Sequence, residues 1–412
     1  MDYPSDERPK EQLSGEFHLR LLETGKEAWN RWAITVIDHG EFVKLDDKLR
    51  NIKPYSAEEL LQLHQRLGLS SEQELCPHIN LQGLKHTTRD FSGLLFPASA
   101  DFCLVSYSSS AKFSDTIFIG TAYFSESTFQ ASADFDGCNF HSGVMFNNCE
   151  FCSVANFTQC YVENYAHFKA AKFLQRAEFN HANFNCPCDF NAASFVIADF
   201  KEALFKDVVF FQEVLFKSTT TFEQASFAQP PRFHDTELPQ STSFEFVTWL
   251  NRDGKPHHNR DSWRTLKHAM SEIHNHELEL FFFKKEMESK AKTGATPQTM
   301  LLTVYRFVSD YGTSIWRPIV GLLALYGLFV ALYASSGWNG VPAMTFEQAK
   351  LFAWGNMLPF TSISKATIAS LPLEKEGVLG MCLIVTSSIQ NILSAGFLFL
   401  TGLAMKHKLS LK

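Results

Sequence analysis

The chain has 412 residues, a formal net charge of −7 at neutral pH and forty phenylalanines. That length allows two or three domains, and the weak acidic balance does not imply a generic nucleic-acid-binding surface. Ten Tyr and seven Trp are unremarkable, so the aromatic excess belongs to Phe alone.

The first thirty residues carry Asp2, Asp6, Glu7, Arg8, Lys10 and Glu11 and no long apolar run, which argues against a signal peptide. Nine cysteines follow no finger-like spacing. Without an export signal they read as reduced cytosolic thiols. Residues 1–90 are polar, with Trp29 and Trp32, and are expected to form a mostly helical N-terminal cap. Ser56 with Glu59 three residues on makes a capping box for a helix. Its stripe of Leu60, Leu63 and Leu67 is expected to pack on the first coil of the repeat domain that begins at residue 91.

From residue 91 a rhythm begins. In "FDGCNFHSGVMFNNCEFCSVANF" phenylalanine stands at 135, 140, 146, 151 and 157, in steps of five and six. The same alternation runs from Phe91 to Phe244 over 29 positions, of which 26 are Phe; the exceptions are Tyr107, Val162 and Leu238. Phe168, Phe173, Phe179, Phe184 and Phe190 continue the series. Two successive five-residue steps, 195 to 200 to 205, drop one residue from the phase and predict a local kink. The residue two before each Phe is nearly always small, as at Ala133, Cys138, Cys149, Ala155, Cys160 and Ala166. Neither a helix nor a long strand has this period. Short extended segments do place i−2 and i on one side and i−1 on the other, so a small and a large residue alternate inward and a turn follows each pair. Stacked coils bury such units where single ones cannot.

The segments "ADFDGCNF", "AKFLQRAEFNHANF" and "AASFVIADFKEALF" resemble the A-(D/N)-(L/F)-x-x unit of pentapeptide-repeat proteins. The resemblance implies a right-handed quadrilateral β-helix, a β-solenoid with one repeat per side and four sides per coil, over residues 91–250. The residue inserted at alternate sides departs from the strict five and implies slightly rectangular, looser corners. Twenty-nine sides make about seven coils, a rod about 35 Å long at the usual strand spacing. "LLETGKEAWNRWA" resembles the opening segment of many bacterial pentapeptide-repeat proteins, whose implied use is to cap the open end of the column.

Cys138, Cys149, Cys160 and Cys188 fall in the small inward slot, which makes them packing residues rather than redox or metal groups. "CPC" at Cys186–Cys188 has the look of a metal pair but no second pair beside it. No metal, cofactor or catalytic residue is expected.

Residues 251–312 are expected to be a helical linker, with 255–293 read as helix. His257, His258, His268, His274 and His276 there lack the i, i+4 pairing of a metal site and read as solvated. "ELELFFFKKEMESK" resembles the linking helix after the repeats in membrane-bound members of the family.

Residues 313–412 change character. No charge falls between Arg317 and Glu347, or between Glu376 and Lys406. The cores of these runs, 318–336 and 378–404, are long enough to cross a bilayer. A re-entrant or interfacial segment near 346–368 is expected between them. Eleven Lys and Arg from Arg252 to Arg317, and Lys406, Lys408 and Lys412, place both termini in the cytoplasm. The tail resembles that of bacterial pentapeptide-repeat inner-membrane proteins, which implies the bacterial inner membrane.

The second span carries a polar stripe, Ser387, Gln390, Asn391, Ser394 and Thr401, expected to face neighbouring subunits or a pore. The first carries a small-residue face, Ala324, Gly327, Ala331 and Ala334, suited to holding the two spans together. The alternative sets the polar stripe against the first span within one chain. The expected function is a non-enzymatic, membrane-tethered scaffold whose rod binds a protein partner. A homo-oligomeric pore or ion channel with the rod as sensor or gate is the alternative, and a DNA mimic ranks third. A lipid bilayer and a homo-oligomer are expected partners; a small-molecule substrate and nucleic acid are not.

Overall fold

The computed structural model describes residues 16–37, 49, 51–67, 79–81, 90–250, 256–292, 297–335, 345–357 and 378–409. The chain divides into two compact units, Met1–Ala269 and Met270–Lys412.

The first unit is a parallel β-solenoid. Most strands have two residues, and each pairs with one about a full coil later: Ala111 with Ala133, Ala155 with Ala177, Asn139 with Tyr161. The offset is 22 residues, which is two steps of five and two of six. Three sheets of seven, eight and ten strands result, because two of the four faces merge where Lys172–Glu178 and Ser194–Asp199 run straight through a corner. That corner absorbs the dropped residue. Phe173 pairs with Phe195, then Arg176 pairs with Ile197, and the register shifts by one between them.

The five-residue steps turn through a left-handed residue two after the Phe, at Asp115, Glu126, Asn148, Gln159 and Ala170 among others. The six-residue steps have an extra residue with which to turn, and only Gly143 there has positive φ. Gly120 answers to a close approach instead: a Cβ on it would collide with the Ser99 amide of the previous coil.

Inside, the rings stack coil on coil in four columns. In one, Phe113, Phe135, Phe157 and Phe179 follow each other at 5.0, 5.0 and 4.9 Å between centroids, nearly parallel. Phe102, Phe124, Phe146, Phe168 and Phe190 form a second, and Phe129, Phe151, Phe173 and Phe195 lie in a third. Val162 interrupts the fourth, between Phe140 and Phe184. Rings of neighbouring columns meet edge to face, as Phe146 and Phe157 do at 5.3 Å, the geometry that aromatic quadrupoles favour. Leu238 is the lattice position that stays half-exposed, and the lattice runs one step beyond Phe244 to Trp249, which stacks on Phe227 at 5.3 Å.

Both ends of the column are closed by tryptophan. Helix α1 (Glu16–Glu23) leads to α2 (Lys26–Val36), whose Trp29 is fully buried edge-on against Phe96. Trp29 Nε1 donates to the Leu95 carbonyl at 2.8 Å. Asn30 donates to the Gly93 carbonyl at 3.0 Å and accepts from the Leu95 amide at 2.9 Å. These bonds occupy part of the sheet edge that no earlier coil covers, where unpaired backbone groups would otherwise invite another strand. Helix α3 (Ala57–Leu67) has its capping box, with Ser56 and Glu59 exchanging bonds at 2.8 and 3.3 Å. It is tied to the other two helices: Arg20 of α1 donates to the Leu67 carbonyl, and Arg31 of α2 forks onto Glu59. At the far end Trp249 meets Trp263 of α4 (Pro256–Glu272).

The helix expected over 255–293 is two helices. His274 has φ of 59°, and Asn275 caps α5 (His276–Ala291) by accepting from the Leu278 amide at 3.1 Å. Then come α6 (Pro297–Ser309), α7 (Trp316–Ala334), α8 (Phe346–Met357) and α9 (Val378–Leu409). Helices α7 and α9 are long and apolar enough to cross a membrane. The segment expected to be re-entrant begins as α8, which packs Ala349, Phe352 and Ala353 among Leu325, Phe329, Val330 and Tyr333 of α7 and Leu383 of α9. Residues 358–368 of that segment lie outside the described residues.

Candidate functional site

The rod's interior is a packed lattice. Its small slot has a chemical role: Thr116, Ser127, Cys138, Cys149 and Cys160 each donate a hydroxyl or thiol proton to the carbonyl of the Phe 25 residues earlier. The Sγ to oxygen distances are 2.8 to 2.9 Å. Burial pushes the thiols of Cys138, Cys149 and Cys188 well above the usual range, which leaves little reactive thiolate. Cys186 and Cys188 are both buried and unbridged, with the Cys188 thiol 3.6 Å from the Cys186 carbonyl. Among the described residues no three His, Cys, Asp or Glu side chains gather as a metal site.

What the rod offers to other molecules is its outer surface. Residues i−1 of each repeat point outward and stack into ladders. One runs Lys112, Asp134, Asn156, Glu178, Asp199 and Thr221. Asn156 donates to Asp134 at 3.0 Å, and Ser114 to the other oxygen of Asp134 at 2.6 Å. Asp136 beside them has its carboxyl raised above the usual range, first by burial and then by Asp134 and Asp115. Where two faces merge the ladder becomes mixed in charge: Arg176 lies 3.5 Å from Glu178 and 3.9 Å from Asp199, and Lys201 3.5 Å from Glu223.

In the second unit the polar stripe follows the alternative arrangement, turned toward the first span within one chain, and the small-residue face of that span is not what holds the two together. Gln390 is fully buried within the chain, accepting from Tyr333 Oη of α7 and donating to the Ala353 carbonyl of α8, both at 2.9 Å. Ser387 and Ser394 are buried with it, Ser387 donating to the Ile384 carbonyl. Asn391 and Thr401 are half-exposed, and Thr401 donates to the Phe397 carbonyl of its own helix. The oligomer or pore face thus loses Gln390 and both serines to contacts inside one chain. Conversely Ala324, Gly327 and Ala331 face outward, nothing lies within 4 Å of a Cβ built on Gly327, and only Ala334 touches the helical core. The physical reason is α8. Its Phe352 meets Tyr333 edge to face at 4.8 Å, so the aromatic face of α7 turns inward. Tyr333, the buried partner of Gln390, went unnoticed in the sequence. Fifty-seven residues separate the pair, and a tyrosine in an apolar run gives no signal.

Residues 113–161 match the family model for pentapeptide repeats (9 copies). The chain therefore carries pentapeptide repeats, folded as a parallel β-solenoid of about seven turns and followed by helices, two of them apolar enough to span a membrane. The matched family model describes a structural repeat, a fold not typically enzymatic. No curated protein and no solved structure matches the chain.

Proposed function

We propose that the chain is a membrane-tethered scaffold without enzymatic activity, whose β-helix lies in the cytoplasm and binds a protein partner on its outer face. The observation that carries this is the exposure of α7 and α9. Only 22% and 17% of their most apolar stretches are covered within the chain, and Leu323, Leu328, Ile384, Val385, Ile392 and Phe399 all face outward. A soluble chain rarely leaves so much contiguous apolar surface in water, whereas a lipid bilayer covers it. The Lys and Arg flanking the two helices support a cytoplasmic side for both ends of the tail, and the protonated thiols of the rod suit a reducing compartment. Self-association belongs to the same proposal, and the mass of the full chain in detergent tests it.

The partner surface favoured is the merged corner around Arg176, Glu178, Asp199 and Lys201, where the two longest strands run side by side and their outward charges are of both signs. Photo-crosslinkers placed one at a time on the four faces of the rod test it. The proposal expects one partner band, strongest from positions beside Arg176 and Lys201 and lost on reversing Arg176, Lys201 and Asp199 together. Equal labelling of all four faces, unchanged by that reversal, would contradict it.

A further inference from the structure

The second unit contains a cleft of about 400 Å³, bounded by α5, the turn before α7 and the end of α9. Its volume lies in the range of ligand sites. Leu280, Phe281 and Trp316 give it an apolar wall. The Thr313 and Ser314 hydroxyls, Lys284, His407 and Lys408 give it a polar one, with Glu277 as the acid in the lining. Lys284 is held by Asp310 at 2.7 Å, and His407 Nδ1 lies 3.1 Å from the Gly312 carbonyl, so two of its three basic groups are fixed in place. Lys408 is exposed. The first turn of α7 opens beside these groups and adds the positive end of its dipole.

The place of the cleft matters as much as its lining. Trp316 starts α7 and Lys408 lies in the last turn of α9, so the cleft sits where both apolar helices end on the same side. Helix α6 packs on α5 and α7. It turns Met300, Leu301, Val304 and Phe307 outward, Phe307 85% exposed. These four share one helical face, with basic Arg306 next to Phe307. An exposed apolar stripe on a helix that leads into a span is the form of a helix lying in the headgroup layer.

We propose that this cleft binds an anionic phospholipid, with its phosphate held by Lys408, Lys284 and the Ser314 hydroxyl and its acyl chain along Phe281 and Trp316. The inference rests on the membrane reading above. A soluble phosphate would use the basic wall but leave the apolar wall without an occupant, and this decides for the lipid.

The test uses the full chain in detergent, read by thermal melting and by native mass spectrometry, with phosphatidylglycerol, phosphatidylcholine or inorganic phosphate added. Phosphatidylglycerol should raise the melting temperature and stay bound. Phosphatidylcholine should bind at least tenfold more weakly. Lys408→Glu should weaken phosphatidylglycerol about tenfold while melting as the wild type does without lipid, and Trp316→Ala should weaken both lipids. Should Lys408→Glu lower the lipid-free melting point, Lys408→Gln takes its place, with an expected loss of at least threefold. Equal binding of the two lipids, or phosphatidylglycerol binding unchanged in the Lys408 and Trp316 variants, would overturn the proposal. Stabilisation by millimolar phosphate equal to that by phosphatidylglycerol would overturn it too, assigning the cleft to a soluble phosphate. Resistance of the chain to alkaline extraction from membranes is measured alongside. A resistant chain with no lipid preference sinks the cleft alone, whereas an extractable chain sinks the membrane reading beneath it.

Discussion

Thr116, Ser127, Cys138, Cys149 and Cys160 are one slot in five copies, and each gives its proton to a Phe carbonyl. Ala171, Ala182, Ala193 and Ala203 fill the same slot in later coils, so the slot requires a small side chain and gains a hydrogen bond where a hydroxyl or thiol stands in it. The large position asks only for a flat apolar ring that can stack. Phe179 is fully buried between Phe157 and Phe200, each 4.9 Å away. Phe179→Asp would bury a carboxylate without a partner and should cost about 4 kcal/mol or more. Glu178→Gln, one residue away on the outer face, should cost less than about 1 kcal/mol, since its ion pair with Arg176 is solvent-exposed. Melting curves of equal midpoint for the two variants would refute the inward assignment. Asp136 is a case of the opposite sign. Its folded pKa is raised by burial and by two neighbouring acids, so its charge opposes folding at neutral pH, and stability is gained as pH falls through that pKa. Asp136→Asn should melt higher than the wild type at pH 7, with the difference shrinking in acid as the wild-type carboxyl takes up its proton. A difference that grows in acid would contradict this.

At the scale of elements, a strand of two residues is marginal alone and is held by the coils above and below. The end coils lack one neighbour, which is what Trp29, Asn30 and Trp249 make good. Trp29→Ala removes a fully buried ring and the bond to Leu95 and should cost about 3–5 kcal/mol. Hydrogen exchange should then rise at Leu95 and Phe96 first and at Asn183 and Phe184 last. Uniform loss of protection along the rod would show instead that the coils unfold as one. The Phe lattice was legible in the sequence because one residue type recurs at a fixed step. The Trp29–Leu95 contact spans 66 residues and leaves no such trace. The break at His274 was written in "IHNH", since Asn favours caps, but the apolar and charged residues on either side hid it. Helix periodicity shows that α7 and α9 each have two faces and cannot say which one a third helix will cover, so the choice between the two arrangements stays open in the sequence.

The whole molecule joins a filled rod to a tail of helices whose outward surfaces are apolar. A solenoid with its core packed by stacked rings gives a filled body with ladders of polar side chains outside, and the scaffold proposal rests on that outer surface. In the tail, Tyr333 and Gln390 bond across α7, α8 and α9 to each other and to the Ala353 carbonyl, Thr386, Ser387, Ser388 and Thr401 donate to carbonyls of their own helix, and Leu, Ile, Val and Phe are left to whatever surrounds them. That division is what a lipid environment demands of a helix bundle. The most direct measurement is alkaline carbonate extraction of membranes from cells making the full chain. The tethered scaffold predicts that the chain stays in the membrane pellet at high pH and is released only by detergent. Recovery of folded chain in the carbonate supernatant would contradict it.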